Sequence, residues 1–229
     1  MVIWTSWWDG YNMRYGMESI FVFGASGHAK VVCDILEKEG KYNIAGFIDL
    51  PNRIGESFFG YNVLGEESDL PRLCEEHGTK RGIVALGFNH LRKKVANAAL
   101  HHVPDFTFIN AIHPNASIAR GVRFGQGVMV MAGAVINSDC LIGDHTIINT
   151  KASVDHECVM EAFSTMSPGS TAGGNVRIGK EVMISIGASI LPGLHIGDKT
   201  TVGAGAVVTK DLPEDVIALG IPAVVKEKQ

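Results

Sequence analysis

What the sequence lacks narrows it first. Residues 112–229 hold only two aromatic side chains, Phe124 and Phe163, while residues 1–111 hold the other 15 of 17. A half this poor in rings cannot build an aromatic-anchored sandwich; Ile, Val, Ala and Met must fill a narrow, layered interior. No run of 18 or more apolar residues is present, so no transmembrane helix is expected. There is no basic surplus: Lys and Arg number 20 against 24 Asp and Glu, a net charge of −4. That removes the electrostatic footprint of nucleic-acid or anionic-membrane binding, so neither nucleic acid nor membrane insertion is expected. Charged residues are 19% and hydrophobic ones 46%, which excludes a disordered chain. The four cysteines, Cys33, Cys74, Cys140 and Cys158, form no CxxC pair and no zinc spacing, so no metal is expected. The start lacks the basic region and apolar block of a secretory signal, which makes a reduced cytoplasm the expected compartment.

That start, MVIWTSWWDGYNMRYG, carries all three tryptophans. An interface anchor is one reading. The plainer reading is that residues 1–16 are a disordered extension, or that Met17 is the true start, because a packed strand begins only at Ser19.

Residues 17–111 read as a small α/β domain. Ser19–Phe23 is a short buried strand running into Gly24-Ala25-Ser26-Gly27-His28, and a helix follows over 28–38 with Val31, Val32, Ile35 and Leu36 on one face. Further strands fit Asn43–Ile48, Gly82–Leu86 and Phe106–Ile109. A second helix fits Asn89–Ala99, with Arg92, Lys93 and Lys94 outside. Alternating strands and helices imply a parallel, Rossmann-like sheet with ligands at the strand C-terminal ends. Gly24 and Gly27 flank a strand-to-helix turn whose backbone N–H groups can meet a phosphate, although a tight turn alone would also explain them. Asp49, 22 residues after Gly27, has the spacing of a ribose-binding carboxylate. The full G-x-G-x-x-G fingerprint is absent, which disfavours a dinucleotide cofactor.

From Ile112, every sixth residue is apolar through Ile118, Phe124, Val130 and onward to Val202 and Val208, 17 consecutive positions. At this composition, chance gives such a run about once in a hundred thousand. Four residues after each sits a small or apolar residue, such as Ala134, Cys140, Ala152, Cys158 or Ala188. Glycine often follows the apolar position, as at Gly143, Gly179, Gly197 and Gly203, where a corner needs an unhindered backbone. A period of six gives one flat face per hexapeptide and a triangular coil per 18 residues, stacked about 4.8 Å apart. Residues 112–212 form this prism. The α/β unit should cap one end and residues 213–229 the other.

This repeat, with Gly24–His28 in front, resembles the left-handed parallel β-helix sugar acyltransferases of bacteria. That family includes sialic-acid O-acetyltransferases and N-acetyltransferases of nucleotide-linked amino sugars of the bacillosamine and perosamine type. Further motifs carry the likeness: Phe47-Ile48-Asp49, Gly87–Lys94, Ile148-Asn149-Thr150, Val154-Asp155-His156-Glu157-Cys158, Val202–Ala206 and Gly220-Ile221-Pro222-Ala223. The resemblance implies a homotrimer with acetyl-CoA in the cleft between neighbouring β-helices. It implies His156 as general base, tuned by Glu157. Ser26, Gly27, His28, Asp49, Asn89 and Asn149 would bind the substrate. Thr165, Gly174, Ile186, Ala204 and Gly205 would line the coenzyme site.

The residues support part of this independently. His156 lies two after inward Val154, so it should point outward near a corner, in a row with Ser138 and Gly174. Gly174 offers no side chain, which should leave open space beside the ring. A neutral imidazole suits removal of the acceptor's proton during attack on an activated thioester. Any of the nine histidines could equally be a solvated surface group, but only His156 stands in an Asp-His-Glu context. Cys140 and Cys158 read as stacked core thiols. Thr165 stands where the N-acetyltransferases commonly carry a second histidine, and Leu50 and Phe88 stand where polar residues are usual. The expected activity is acetyl-CoA-dependent N-acetylation of a UDP- or GDP-linked 4-amino sugar for surface glycans. The alternatives are O-acetylation of a sialic-acid-like sugar and an inactive nucleotide-sugar-binding scaffold.

Overall fold

The structure is a computed structural model that describes residues 17–226; residues 1–16, where the extension reading falls, and 227–229 lie outside the described residues. The first unit runs β1 (Glu18–Phe23), α1 (Gly27–Glu39), β2 (Tyr42–Ile48), β3 (Ser57–Phe58), β4 (Tyr61–Gly65), α2 (Leu70–His77), β5 (Arg81–Val84), α3 (Asn89–His102) and β6 (Thr107–Phe108). The sheet order is β3-β4-β2-β1-β5-β6, parallel throughout except for the β3–β4 pair. Ile20, Phe21, Val22 and Phe23 in central β1 are fully buried, because helices cover both faces. Helix α1 buries Ala29, Val32, Cys33, Ile35 and Leu36 on one stripe and stops at Gly40, whose φ of +62° lets its N–H reach the Leu36 carbonyl. The sequence pattern shows neither α2 nor the β3–β4 hairpin.

The second unit is the hexapeptide prism. Seventeen two-residue strands recur every six residues from β7 (Ala111–Ile112) to β23 (Val207–Val208). Each, up to Ser189–Ile190, pairs in parallel with the strand 18 residues on, as Met129 with Ile147, Val135 with Ser153 and Leu141 with Val159. Three faces result. The first holds Met129, Ile147 and Thr165, the second Val135, Ser153 and Thr171, and the third Leu141, Val159 and Arg177. The apolar repeat residues and their small partners point inward; Ile136, Cys140, Ile148, Ala152, Val154 and Cys158 are fully buried. Cys140 and Cys158 are free thiols whose Sγ atoms donate to the carbonyls of Asp155 and Gly173.

Corners turn through left-handed residues such as His145, Lys151, Glu157 and Phe163, with φ between +54° and +61°. The glycines after the apolar positions serve differently from the expectation. Their φ lies outside the left-handed region, and a Cβ on Gly143 would come within 2.8 Å of the Ala162 nitrogen in the next coil. Close stacking, not turning, excludes a side chain there.

The α/β unit does more than cap an end. Outward residues of the first face, Ala111, Met129 and Ile147, are apolar and join its core with Ile20, Val32 and Phe47. It therefore lies along the side of the prism. The tail closes the far end: Ile217–Leu219 pairs in parallel with Thr201–Val202, Ala218 is fully buried, and Val224–Lys226 folds back antiparallel. One helix face also differs from the pattern. Arg92, expected outside with Lys93 and Lys94, is completely buried, because the first turn of α3 faces the prism and not solvent.

Candidate active site

His156 projects from the corner after the second face. Asp155 shapes that corner: its Oδ1 accepts the His156 backbone N–H at 2.8 Å and the Asn137 amide at 2.7 Å. Asn137 and Asp155 are stacked neighbours, so the repeat itself builds this support. The His156 Nδ1 lies 3.0 Å from Glu157 Oε2, and both side chains are more than half exposed. With Nδ1–H donating to the carboxylate, the neutral ring carries its lone pair on Nε2, the arrangement a base requires. The ring itself fills the space beside Gly174: a Cβ there would sit 2.5 Å from Nε2. The gap expected there is occupied by the histidine.

Ile186, Ala204 and Gly205 lie on a different corner, after the first face, and all three are exposed. Ile186 is 63% exposed, unusual for an isoleucine with an apolar core available. Asn149 begins the same corner two coils before Ile186, and its Oδ1 accepts the Thr150 N–H at 2.8 Å. Small side chains at 204 and 205 let a ligand approach the backbone. Within one chain the whole second face separates this corner from His156, so the two sets do not converge.

A third group of expected residues surrounds the strand ends of the α/β unit. Asp49 Oδ2 accepts the Ala25 N–H at 2.5 Å and Arg53 Nη1 at 2.9 Å, while Arg53 also donates to the Ala25 carbonyl at 2.6 Å. The acid thus ties the Gly24–Gly27 turn to the end of β2. Next to it opens a cavity of about 550 Å3 lined by Gly24, Asp49, Leu50, Glu66, Leu86 and Lys94 among others. Ser26 precedes α1 in an extended conformation and Gly27 opens the helix. His28 follows with its Nε2 buried and without a partner; burial, then the Arg92 charge, pulls its pKa down to about 4. It is neutral at pH 7.

Asn89 and Thr165 stand elsewhere than the expectation put them. Asn89 is buried, and its Nδ2 donates to the carbonyls of Glu181 and Val182 at 3.0 and 3.1 Å. Its Oδ1 accepts from Arg92 Nη2 at 2.9 Å and from the Thr165 hydroxyl at 2.7 Å. Thr165 points from the first face into this network, not toward the His156 corner, because the α/β unit covers that face. Arg92 is the residue the sequence reading missed. It donates to carbonyls of Leu86, Gly87, His145, Phe163 and Ser164 and to Thr165 Oγ1, at 2.7–3.4 Å. Burial pulls its pKa down to about 9, which leaves it charged at pH 7.

Among the described residues, no group of three or more His, Cys, Asp or Glu gathers to hold a metal, and no helix is long and apolar enough to cross a membrane. An α/β crevice fused to a three-sided β-helix with an outward His–Glu pair defines a hexapeptide-repeat transferase. Family models agree: residues 19–99 match the PglD N-terminal domain and residues 175–210 the bacterial transferase hexapeptide (six repeats). The crystal structure of PerB from Caulobacter crescentus, in complex with CoA and GDP-perosamine, is 42% identical over 91% of this chain and 97% of that one, with a TM-score of 0.85. The acetyltransferase domain of PglB from Neisseria gonorrhoeae, in complex with acetyl coenzyme A, is 34% identical over 92% of this chain and 100% of that one, with a TM-score of 0.82. Galactoside O-acetyltransferase of Lactococcus lactis is 30% identical over 48% of this chain and 54% of that protein. The chain spans about half the length or less of the curated relatives it first matches. The chain belongs to the left-handed parallel β-helix sugar acyltransferases.

Proposed function

We propose that this protein transfers the acetyl group of acetyl-CoA to the amine of a nucleotide-linked amino sugar. The observation that carries the reading is the His156–Glu157 pair, held outward over Gly174 on a β-helix whose α/β partner has a strand-end crevice. The likeness to PerB, solved with CoA and GDP-perosamine, supports it over nearly the whole chain.

In this reading the nucleotide occupies the crevice beside Asp49 and the Gly24–Gly27 turn, and Asn149 contacts the sugar. Acetyl-CoA lies along the corner of Ile186, Ala204 and Gly205. The amine forms a C–N bond to the acetyl carbonyl as the thioester C–S bond breaks. His156 Nε2 accepts the amine proton, Glu157 balances the imidazolium, and the thiolate takes up a proton. Because His156 and the coenzyme corner belong to opposite ends of one face, the second corner of one copy must meet the first corner of another. A homotrimer around a three-fold axis satisfies this with three equal sites. The protein works in the cytoplasm, where acetyl-CoA and sugar nucleotides are made.

The test incubates the protein with acetyl-CoA and UDP- or GDP-linked 4-amino sugars and follows free thiol, with mass spectrometry of the product. Thiol release with amide formation is expected. Thiol release only with hydroxyl acceptors would establish O-acetylation instead, and no release with any acceptor would sink both readings.

A further inference from the structure

We propose that Arg92 is a positioning residue for acyl transfer, holding the rim of the strand-end crevice at a fixed place on the β-helix. The inference rests on the crevice being the sugar-nucleotide site. Arg92 lies one turn into α3, and its nitrogens divide between the two units. Nη1 donates to the Leu86 and Gly87 carbonyls at 3.0 and 3.1 Å, on the loop that follows β5 and supplies Leu86 to the crevice wall. Nε donates to the His145 carbonyl at 2.7 Å, and Nη2 to the Phe163 carbonyl at 3.0 Å, on stacked coils of the prism. Asn89 extends the contact to the Glu181 carbonyl. His145, Phe163 and Glu181 are successive residues of a single corner row, each left-handed, so the first turn of α3 grips three stacked coils at one edge.

Adhesion alone does not account for this choice of residue. Among the described residues, no carboxylate hydrogen-bonds to Arg92, and burying an unpaired charge is costly. An apolar side chain of similar volume would avoid burying the charge but would leave the carbonyls of His145, Leu86, Gly87 and Phe163 without this donor. What only the guanidinium supplies is a rigid planar fork whose donors fix direction as well as distance. Its targets are main-chain carbonyls, which define where the Leu86–Phe88 loop sits relative to the prism. Phe88, at the tip of that loop, is 67% exposed. The Lys93–Glu181 ion pair at 2.6 Å lies on the rim of the same contact and is half-buried; it ties α3 to the prism without touching the loop. Thr165 completes the fork by accepting from Nη2 and donating to Asn89.

The test compares Arg92→Met, Arg92→Lys and Thr165→Val with the parent protein. Each is measured for circular dichroism, oligomeric state, KM for acetyl-CoA, and kcat/KM for the sugar nucleotide. Misplacing a bound group by about 1 Å costs on the order of 100-fold, so Arg92→Met should lose about that much kcat/KM for the sugar nucleotide. KM for acetyl-CoA should stay within about twofold, since the first face separates its corner from the clasp. Arg92→Lys, which keeps one donor direction, should recover part of the loss, and Thr165→Val should show a smaller loss of the same kind. If Arg92→Met does not fold, the other two variants carry the test. Folded variants that keep the parent kcat/KM, or that lose it together with affinity for acetyl-CoA, overturn the proposal. Inhibition of the parent protein by free UDP or GDP separates the two ideas: without it, the crevice reading itself fails.

Discussion

His145 and His156 stand on two corners of the same prism under opposite conditions. His145 is buried beneath the α/β unit, stacked on Phe163 with ring centroids 4.8 Å apart and edge-on to Phe108 at 4.6 Å. Burial, then the Arg92 charge, pulls its pKa down to about 4, so at neutral pH it is an uncharged packing element. His156 has no such cover. It meets solvent, the Glu157 carboxylate and a bare glycine. The repeat gives every corner nearly the same backbone, and what is laid over a corner decides whether its side chains pack or react. One edge is closed under the α/β unit; another is open and presents a histidine to solvent.

The contrast can be broken experimentally from its reactive side first. His156→Ala should lower kcat by about a thousandfold, the range for removing a general base, with no change in melting temperature. Full turnover in this variant would remove the role assigned to the open corner. Gly174→Val would place a methyl where the ring now sits. A loss of about 10- to 100-fold in kcat with an intact fold is expected, because the exposed ring can swing aside while its aim is lost.

The closed edge has its own signature, read in stability. His28 and His145 are held neutral when folded but titrate near 6.5 when unfolded. Between about pH 6.5 and 4 the unfolded chain binds more protons. Stability is therefore fully present above 6.5 and is lost as pH falls toward 4, by about 2 kcal/mol per histidine at pH 5. Denaturant unfolding at pH 7 and pH 5 measures this, and His145→Phe should flatten the slope; a slope unchanged by that substitution would contradict the account. The smallest effect belongs to Glu157→Gln. The amide oxygen can still accept from Nδ1–H, so only the charge is lost, and kcat should fall about two- to fivefold, the worth of an exposed charge pair.

Much of the prism was legible because its period is a packing rule: one inward residue per face, every six. Cys140 and Cys158 followed from the same register. The absence of rings was legible too, and its exceptions are informative. Phe124 packs at the prism's first coils, and Phe163 faces outward into the α/β core. His156 and Glu157 could be placed because their positions relative to Val154 set their direction. The clasp was not legible. Arg92 shares a helix face with Ala96 and Ala99, both buried, and that i, i+4, i+7 stripe was the available signal. An arginine on such a stripe reads as solvent-facing unless the carbonyls that receive it are known, and those come from coils more than 50 residues away. Asn89 and Thr165 were misplaced for the same reason: motif position does not show which face another domain covers.

The central claim is that the open corner of one copy works with the coenzyme corner of another. Complementation between variants tests it most directly. His156→Ala removes the proposed base, and Ala204→Trp blocks the other corner; each alone should be nearly inactive. Unfolded together in equal amounts and refolded, random assembly leaves about a quarter of the shared sites with both corners intact. Recovery to about a quarter of the parent activity is expected. Mixed trimers that form yet stay as inactive as the separate variants would contradict it.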